Sequence, residues 1–294
     1  MNSRSILDVA EVSLREHLTG KSLDIITIGK PESFDVIKTL APIISKLSPL
    51  YANSIEYAVS AQLNNTEWPF VGEWMRQDPG FPDVIFESSE LSVLPGIEIK
   101  AWYPLATEIT ARFKESQTLF KEDNIDVAVV VWIPENIVWG KAHIIDIRYF
   151  TAESIAKARD DHYHNPPDYI VIEPRDTSDR TRNLQQTNTN GFKMQDKSQM
   201  EKARKIVDGW GTDGLQYSPD LEYQQKLLDL QNQFTYRGDT NYAKMDRIQH
   251  QGLEDFKKDV LSRIIHGKMI SQWIQILKSP DEPINKRALE ELIE

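Results

Sequence analysis

The chain has 294 residues, no cysteine and a net charge of -11, which excludes a disulfide scaffold, a thiolate nucleophile and a cysteine zinc site and fits a cytoplasmic protein. No run of about 18 apolar residues is present, so no membrane-spanning helix is expected, and the first eight residues lack the apolar core of a signal peptide. The negative charge runs against a broad nucleic-acid-binding surface. The charge is uneven, however: from Arg175 to Lys205 eight basic residues stand against four acidic ones.

In chain order, residues 54–63 read as a helix carrying Glu56. Phe81-Pro82-Asp83-Val84-Ile85-Phe86 and Gly96-Ile97-Glu98-Ile99-Lys100-Ala101-Trp102 are apolar β-branched runs bounded by Pro and Gly, and read as strands. Residues 104–120 have apolar side chains at helical spacing. Residues 126–133 form a continuous apolar run, as in a strand buried on both faces. Residues 142–147 and 169–172 read as further strands. The chain then turns polar: residues 175–193 are almost devoid of aliphatic side chains. Gly209-Trp210-Gly211-Thr212-Asp213-Gly214 lacks the Lys-Ser/Thr ending of a phosphate-binding loop and reads as a turn at a subdomain boundary. The last third reads as helical, with segments at 224–232, 253–277 and 285–293. The apolar stripe on 253–277 fits either a core face or a dimer seam. The expected organisation is an α/β core over residues 1–205 and a mainly helical C-terminal subdomain over 206–294.

The chemistry concentrates on the two strands. Successive side chains on a strand alternate faces, so Glu98 and Lys100 share one face and Ile97 and Ile99 the other. A hairpin-like return would bring Asp83 beside Glu98. Two adjacent carboxylates repel unless a cation or proton lies between them. Mg2+ uses one or two carboxylates and leaves its other positions to water and phosphate. A nearby ammonium would then orient a water or stabilise developing negative charge. Together these groups suit metal-assisted phosphodiester hydrolysis. Three other Pro-Asp pairs occur, at Asp168, Asp220 and Asp281, and Asp255-Phe256-Lys257 repeats the acidic-x-Lys half. Only Asp83 with Glu98 and Lys100 has both halves on strand-like segments.

Pro82-Asp83 with Glu98-Ile99-Lys100, together with the order of elements over roughly residues 50–175, resembles the PD-(D/E)XK nuclease superfamily, which includes type II restriction endonucleases. The resemblance implies a restriction-endonuclease-like α/β fold: a mixed central sheet flanked by helices, here with a helical C-terminal elaboration. It implies Mg2+ held by Asp83, Glu98 and the carbonyl of Ile99, and Lys100 as the group that positions or activates water. It also implies a homodimer acting on double-stranded DNA, with a cognate DNA methyltransferase as functional partner. Glu56 is either an additional acidic member of the site or an ordinary helical glutamate, with Glu73 a weaker competitor. The polar stretch is either a DNA-reading loop or a solvated one. Arg and amide side chains make bidentate contacts to base edges, which singles out Arg180, Arg182, Asn183, Gln185, Gln186 and Asn188. Gln117 is a further polar group facing DNA. A repair or structure-selective nuclease on the same core and a non-catalytic DNA-binding module are the alternatives. Asp161-His162-Tyr163-His164 fits a transition-metal site or a solvated loop, and His143 a satisfied core histidine.

Overall fold

The computed structural model describes residues 3–68, 70–77, 80–105, 120, 122–162, 172–174, 197–214, 220–233, 236–238, 248 and 250–294. The chain divides into two compact units, one of Met1–Ala111, Glu122–Ala152 and Gln251–Glu294, the other of Arg112–Lys121 and Glu153–His250.

The first unit is built on a mixed six-stranded sheet flanked by helices. Its strands are β1 (Ser22–Ile28), β2 (Glu73–Arg76), β3 (Val84–Glu87), β4 (Gly96–Trp102), β5 (Ile125–Pro134) and β6 (Gly140–Thr151), in the order β1-β6-β5-β4-β3-β2. β4 and β5 run parallel and every other pair is antiparallel. β5 is buried along nearly its whole length, which is why Val127-Ala128-Val129-Val130-Val131-Trp132 carries no polar alternation. Two helices precede β2: α1 (Ser3–Leu18) and α2 (Phe34–Asn64). α2 buries Ile37, Ile44, Tyr51, Ile55, Val59 and Leu63, a stripe at helical spacing. Tyr51 stacks on Trp132 of β5 with ring centroids 4.2 Å apart, and Tyr103 stacks on the same indole at 4.9 Å. The far end of α2 is tied to β2 by Asn64, whose side chain donates to the Trp74 carbonyl at 2.9 Å and accepts from the Trp74 N–H at 2.8 Å. The helix is thereby anchored at two points along the sheet.

Residues 54–63 are indeed helical, but as the last third of a much longer element. α2 starts at Phe34 and contains Pro42 and Pro49. Proline removes a helical hydrogen bond and usually ends or kinks a helix; here the buried stripe on both sides of the prolines holds the helix together.

The C-terminal segment of this unit corrects the expectation of one helix over 253–277. α6 (Gln251–Ser262) ends before a short hairpin, Ile264–Ile265 paired with Lys268–Met269, and a separate helix α7 covers Ile270–Lys278. At the turn His266 has φ 46° and Gly267 φ 73°, the left-handed pair that a tight two-residue hairpin needs. Trp273 closes the loop by donating its indole N–H to the Ile265 carbonyl at 2.8 Å. Phe256 of α6 packs edge-on against Trp102 of β4, with Arg148 of β6 over its ring. A last helix, α8, spans Pro283–Glu290.

In the second unit the described elements are α3 (Ala152–His162), α4 (Lys197–Asp208), a 3-10 turn over Gly211–Gly214, α5 (Leu221–Gln233) and a two-stranded ladder of Ile172–Pro174 with Tyr236–Gly238. No described helix is long and apolar enough to cross a membrane.

Candidate active site

β3 and β4 pair only at Val84 with Ile97 and Ile85 with Gly96. One step past this ladder Asp83 faces Glu98, and side chains take over from the backbone. The Asp83 N–H donates to Glu98 Oε2 at 3.2 Å, and the Ile99 N–H donates to Asp83 Oδ2 at 2.6 Å. On the other side the Gln77 N–H donates to the Asp83 carbonyl at 2.8 Å. Asp83 is therefore held at the point where β3 and β4 splay apart. Gly96 makes this close approach possible: a Cβ there would lie 2.3 Å from Pro82 Cγ.

Glu98 and Lys100 share a face of β4, as the alternation requires, and the Lys100 ammonium pairs with Glu98 Oε1. Both side chains are largely buried. Burial pushes the Glu98 carboxyl up to about 7; the Lys100 charge pulls it back, and the Asp83 charge adds to the rise. A glutamic acid that titrates near neutrality beside a second carboxylate is an acid short of compensating positive charge.

Glu56 reaches this neighbourhood from α2. Burial raises its affinity for a proton and the Asp83 charge raises it further, while Arg76 and Lys100 oppose the rise. Arg76 Nη2 lies 3.3 Å from Glu56 Oε2. Four elements thus bring together three carboxylates, Glu56, Asp83 and Glu98, and two cations, Arg76 and Lys100. Arg76 is not foreseen from the sequence. It belongs to no motif; its only signal is its place on an edge strand two residues after the buried Trp74. Glu73, at the opposite end of β2, faces Glu87 and lies away from this cluster.

A hard divalent cation would need only one or two of these carboxylates. Among the described residues no three His, Asp or Glu side chains converge as a metal-holding group. A cation at this edge would draw on Asp83, Glu98 and main-chain oxygen. On a strand a residue's N–H and C=O point the same way, so the Ile99 carbonyl lies on the edge that its N–H already shares with Asp83. So few protein ligands, all of them oxygen, is what Mg2+ accepts.

His143 is half-buried and hydrogen-bonded to Ser22, at 3.3 Å from Nδ1 to Oγ. The expected DNA-contacting residues Arg180, Arg182, Asn183, Gln185, Gln186 and Asn188 lie outside the described residues, as do Gln117 and His164. No family model, curated protein or solved structure matches the chain.

Proposed function

We propose that the protein is a Mg2+-dependent endonuclease of the type II restriction kind, hydrolysing phosphodiester bonds at a specific sequence in double-stranded DNA in the cytoplasm. The observation that carries the reading is the meeting of Asp83, Glu98 and Lys100 at one splayed strand edge, with Glu98 held near neutrality by burial and Asp83. Structural ion pairs do not need a second carboxylate at the same point.

In this reading Asp83, Glu98 and the Ile99 carbonyl hold Mg2+, which when bound supplies Lewis-acid polarisation of a phosphate oxygen and an acidified water. Asp83 is fixed through Oδ2 by the Ile99 N–H, so its second oxygen would meet a ligand without a further loss of side-chain freedom. Lys100 orients the attacking water and offsets the charge that builds on the phosphoryl oxygens. A new bond forms from water to phosphorus and the P–O3′ bond breaks, leaving a 5′-phosphate and a 3′-hydroxyl. The water's proton passes to solvent, and the leaving oxygen takes one up. Glu56 lies behind the first carboxylates and acts on the site through its charge. The polar stretch that includes Arg180, Arg182, Asn183, Gln185, Gln186 and Asn188 supplies base and phosphate contacts. A duplex has two strands, so cutting both calls for two sites, which a homodimer supplies. A cognate DNA methyltransferase would protect the host's own copies of the target.

The test is digestion of several plasmids with Mg2+, followed by sequencing of fragment ends. Discrete repeatable fragments with 5′-phosphates are expected, and Asp83→Ala and Lys100→Ala should abolish them. Cutting confined to junctions or lesions would move the protein to a repair nuclease. Equal cutting by both variants would remove the site assignment.

A further inference from the structure

The long helix α2 buries one face and leaves a second apolar face to solvent. Val36 and Ile43 are each 41% exposed, and Leu50 and Tyr57 each 58%. These four recur every seven residues. Leu40 and Leu47, half-buried, fall four residues after Val36 and Ile43 and three before Ile43 and Leu50. The alternation of fours and threes from Val36 to Leu50 is the core spacing of a helix lying along another helix. It is not the face that packs on the sheet, since Ile37, Ile44, Tyr51 and Ile55 already fill that role. A seven-residue repeat kept on the outward row of a helix adds nothing to the fold of a single chain, and it exposes apolar area to water.

We propose that α2 is the interface of a homodimer, in which two copies pack antiparallel through Val36, Leu40, Ile43 and Leu47. Three observations select a second copy of the chain. The first is area. The exposed parts of the stripe amount to on the order of 500 Å², the upper range for a patch left bare on a monomer. A contact centred beside Leu40 covers about half of it, from Val36 to Leu47, and leaves Leu50 and Tyr57 outside; this is below the roughly 800 Å² per partner of a stable complex and fits a weak, reversible dimer. The second is charge. Asp35 and Lys46 are both exposed and have no ion-pair partner among the described residues. They stand three helical turns apart and so lie on one flank of the stripe. A two-fold axis crossing the helix beside Leu40 sets each Asp35 against the partner's Lys46. A parallel two-fold pairing would instead put the two copies of this flank on opposite sides of the seam, so Asp35 and Lys46 would not meet. The third is self-complementarity. An axis one residue further along, about 1.5 Å away, layers Leu40 on the partner's Ile43 and Val36 on the partner's Leu47 as an isologous contact requires, within the reach of the long Lys46 side chain toward Asp35.

The inference stands independently of the nuclease reading, because dimerisation is measured without DNA. The full-length protein is followed by sedimentation velocity over a dilution series. A reversible dimer is expected for the wild type. Ile43→Glu, at an exposed position, should raise the dimer Kd by about 30-fold or more while leaving the circular dichroism spectrum and thermal unfolding of the monomer unchanged. Val36→Ser gives a second, milder weakening should the glutamate perturb folding. Asp35→Lys and Lys46→Glu should each weaken the dimer, and the double exchange should restore it. A wild type that stays monomeric throughout, or a dimer indifferent to Ile43→Glu and Val36→Ser, overturns the interface. Failure of the double exchange to recover what the single changes lose overturns the antiparallel arrangement.

Discussion

Buried carboxylates occur in two regions of the sheet, and they are treated differently. On β5 and β6, Asp126 and Asp146 are each closed off by an arginine. Arg4 grips both oxygens of Asp126, through Nη1 at 2.7 Å and through Nη2. Arg263 pairs with Asp146, whose other oxygen accepts from the Ile147 N–H at 2.7 Å. A guanidinium fork saturates a carboxylate and leaves little for a ligand. On β3 and β4, Glu98 is met by a single lysine and by a second carboxylate, Asp83. The ammonium is one point charge, and the positive charge it supplies is shared by two acids. Burial alone therefore does not mark the candidate site. What marks it is that each carboxylate of the first region meets an arginine, whereas in the second Asp83 and Glu98 share one lysine; burial raises the Asp126 carboxyl as well, against the pull of Arg4.

The largest test of this contrast removes one charge from each region. Asp83→Ala or Lys100→Ala should lower DNA cleavage by about a thousandfold, the scale for loss of one preorganised charge-stabilising group; Asp83→Ala should do so with little change in unfolding midpoint, since it also relieves the repulsion on Glu98. Asp126→Ala should do the reverse: it takes from Arg4 its buried partner, leaving Asp8 and Asp123, and costs about 1–3 kcal/mol of stability. The fraction that remains folded should cleave normally. The two phenotypes are read in parallel by urea unfolding and a plasmid-nicking assay. If Asp126→Ala also kills cleavage in the folded fraction, the distinction between the regions fails.

A second test uses pH. Glu98 titrates at about 7 in the folded chain against an ordinary 4.5. Between these values the folded state keeps a proton that the unfolded state has released. Stability contributed at Glu98 is therefore present below about pH 4.5, falls as pH rises through the window, and stays reduced above pH 7. Glu98→Gln removes the titration. Without divalent cations it should match the wild type near pH 4 and exceed it by up to about 3 kcal/mol near pH 8, while cleavage is lost. A stability difference that does not change with pH would show that Lys100 already offsets the burial of Glu98.

Gly96 couples the backbone to the site and gives a test of intermediate size. Gly96→Ala pushes Pro82, and Asp83 with it, away from β4. It should cost about 1–3 kcal/mol and roughly a hundredfold in cleavage, the scale for a misplacement of about 1 Å. Gly72→Ala clashes with Phe86 and the Glu87 carbonyl, at 2.6 and 2.5 Å, at the other end of the same hairpin. It should lose comparable stability without the same loss of cleavage. Equal losses of cleavage would mean that the site does not depend on the local fit at Pro82.

The legibility of this chain in its sequence follows where chemistry and packing agree. β4 is readable to its ends because Gly96 and Trp102 bound an alternating run, and β5 because a strand covered on both faces needs no polar residue. The meeting of Asp83 with Glu98 follows from the same alternation once the two strands pair. The first two-thirds of α2 was hidden, since Pro42 and Pro49 argue locally against a helix that tertiary burial sustains. The break at His266-Gly267 was masked by apolar residues whose spacing continues across it; the glycine was the available sign. Arg76 was hidden for a different reason. Its partner Glu56 lies on another element 20 residues away, and no local pattern records a pairing made only by the fold.

The smallest expected effect concerns that pair. Glu56 is drawn toward protonation by burial and by Asp83, and Arg76 is one of the two cations that keep it charged. Removing the guanidinium should leave a more readily protonated carboxyl behind the first two. Arg76→Ala should then lower cleavage by about tenfold, as for other groups that support a site from behind its ligands, and the loss should be greater near pH 6 than near pH 8. Arg76→Lys should recover part of the activity, because a charge without the fork still opposes protonation. Glu56→Gln should cost a similar factor but with no added pH dependence, since it has nothing to titrate. The pH profiles of the three variants separate an electrostatic role for Arg76 from mere packing, which would shift every pH equally. A profile for Arg76→Ala parallel to the wild type would place the pair with the closed ion pairs of β5 and β6 rather than with the open edge of β3 and β4.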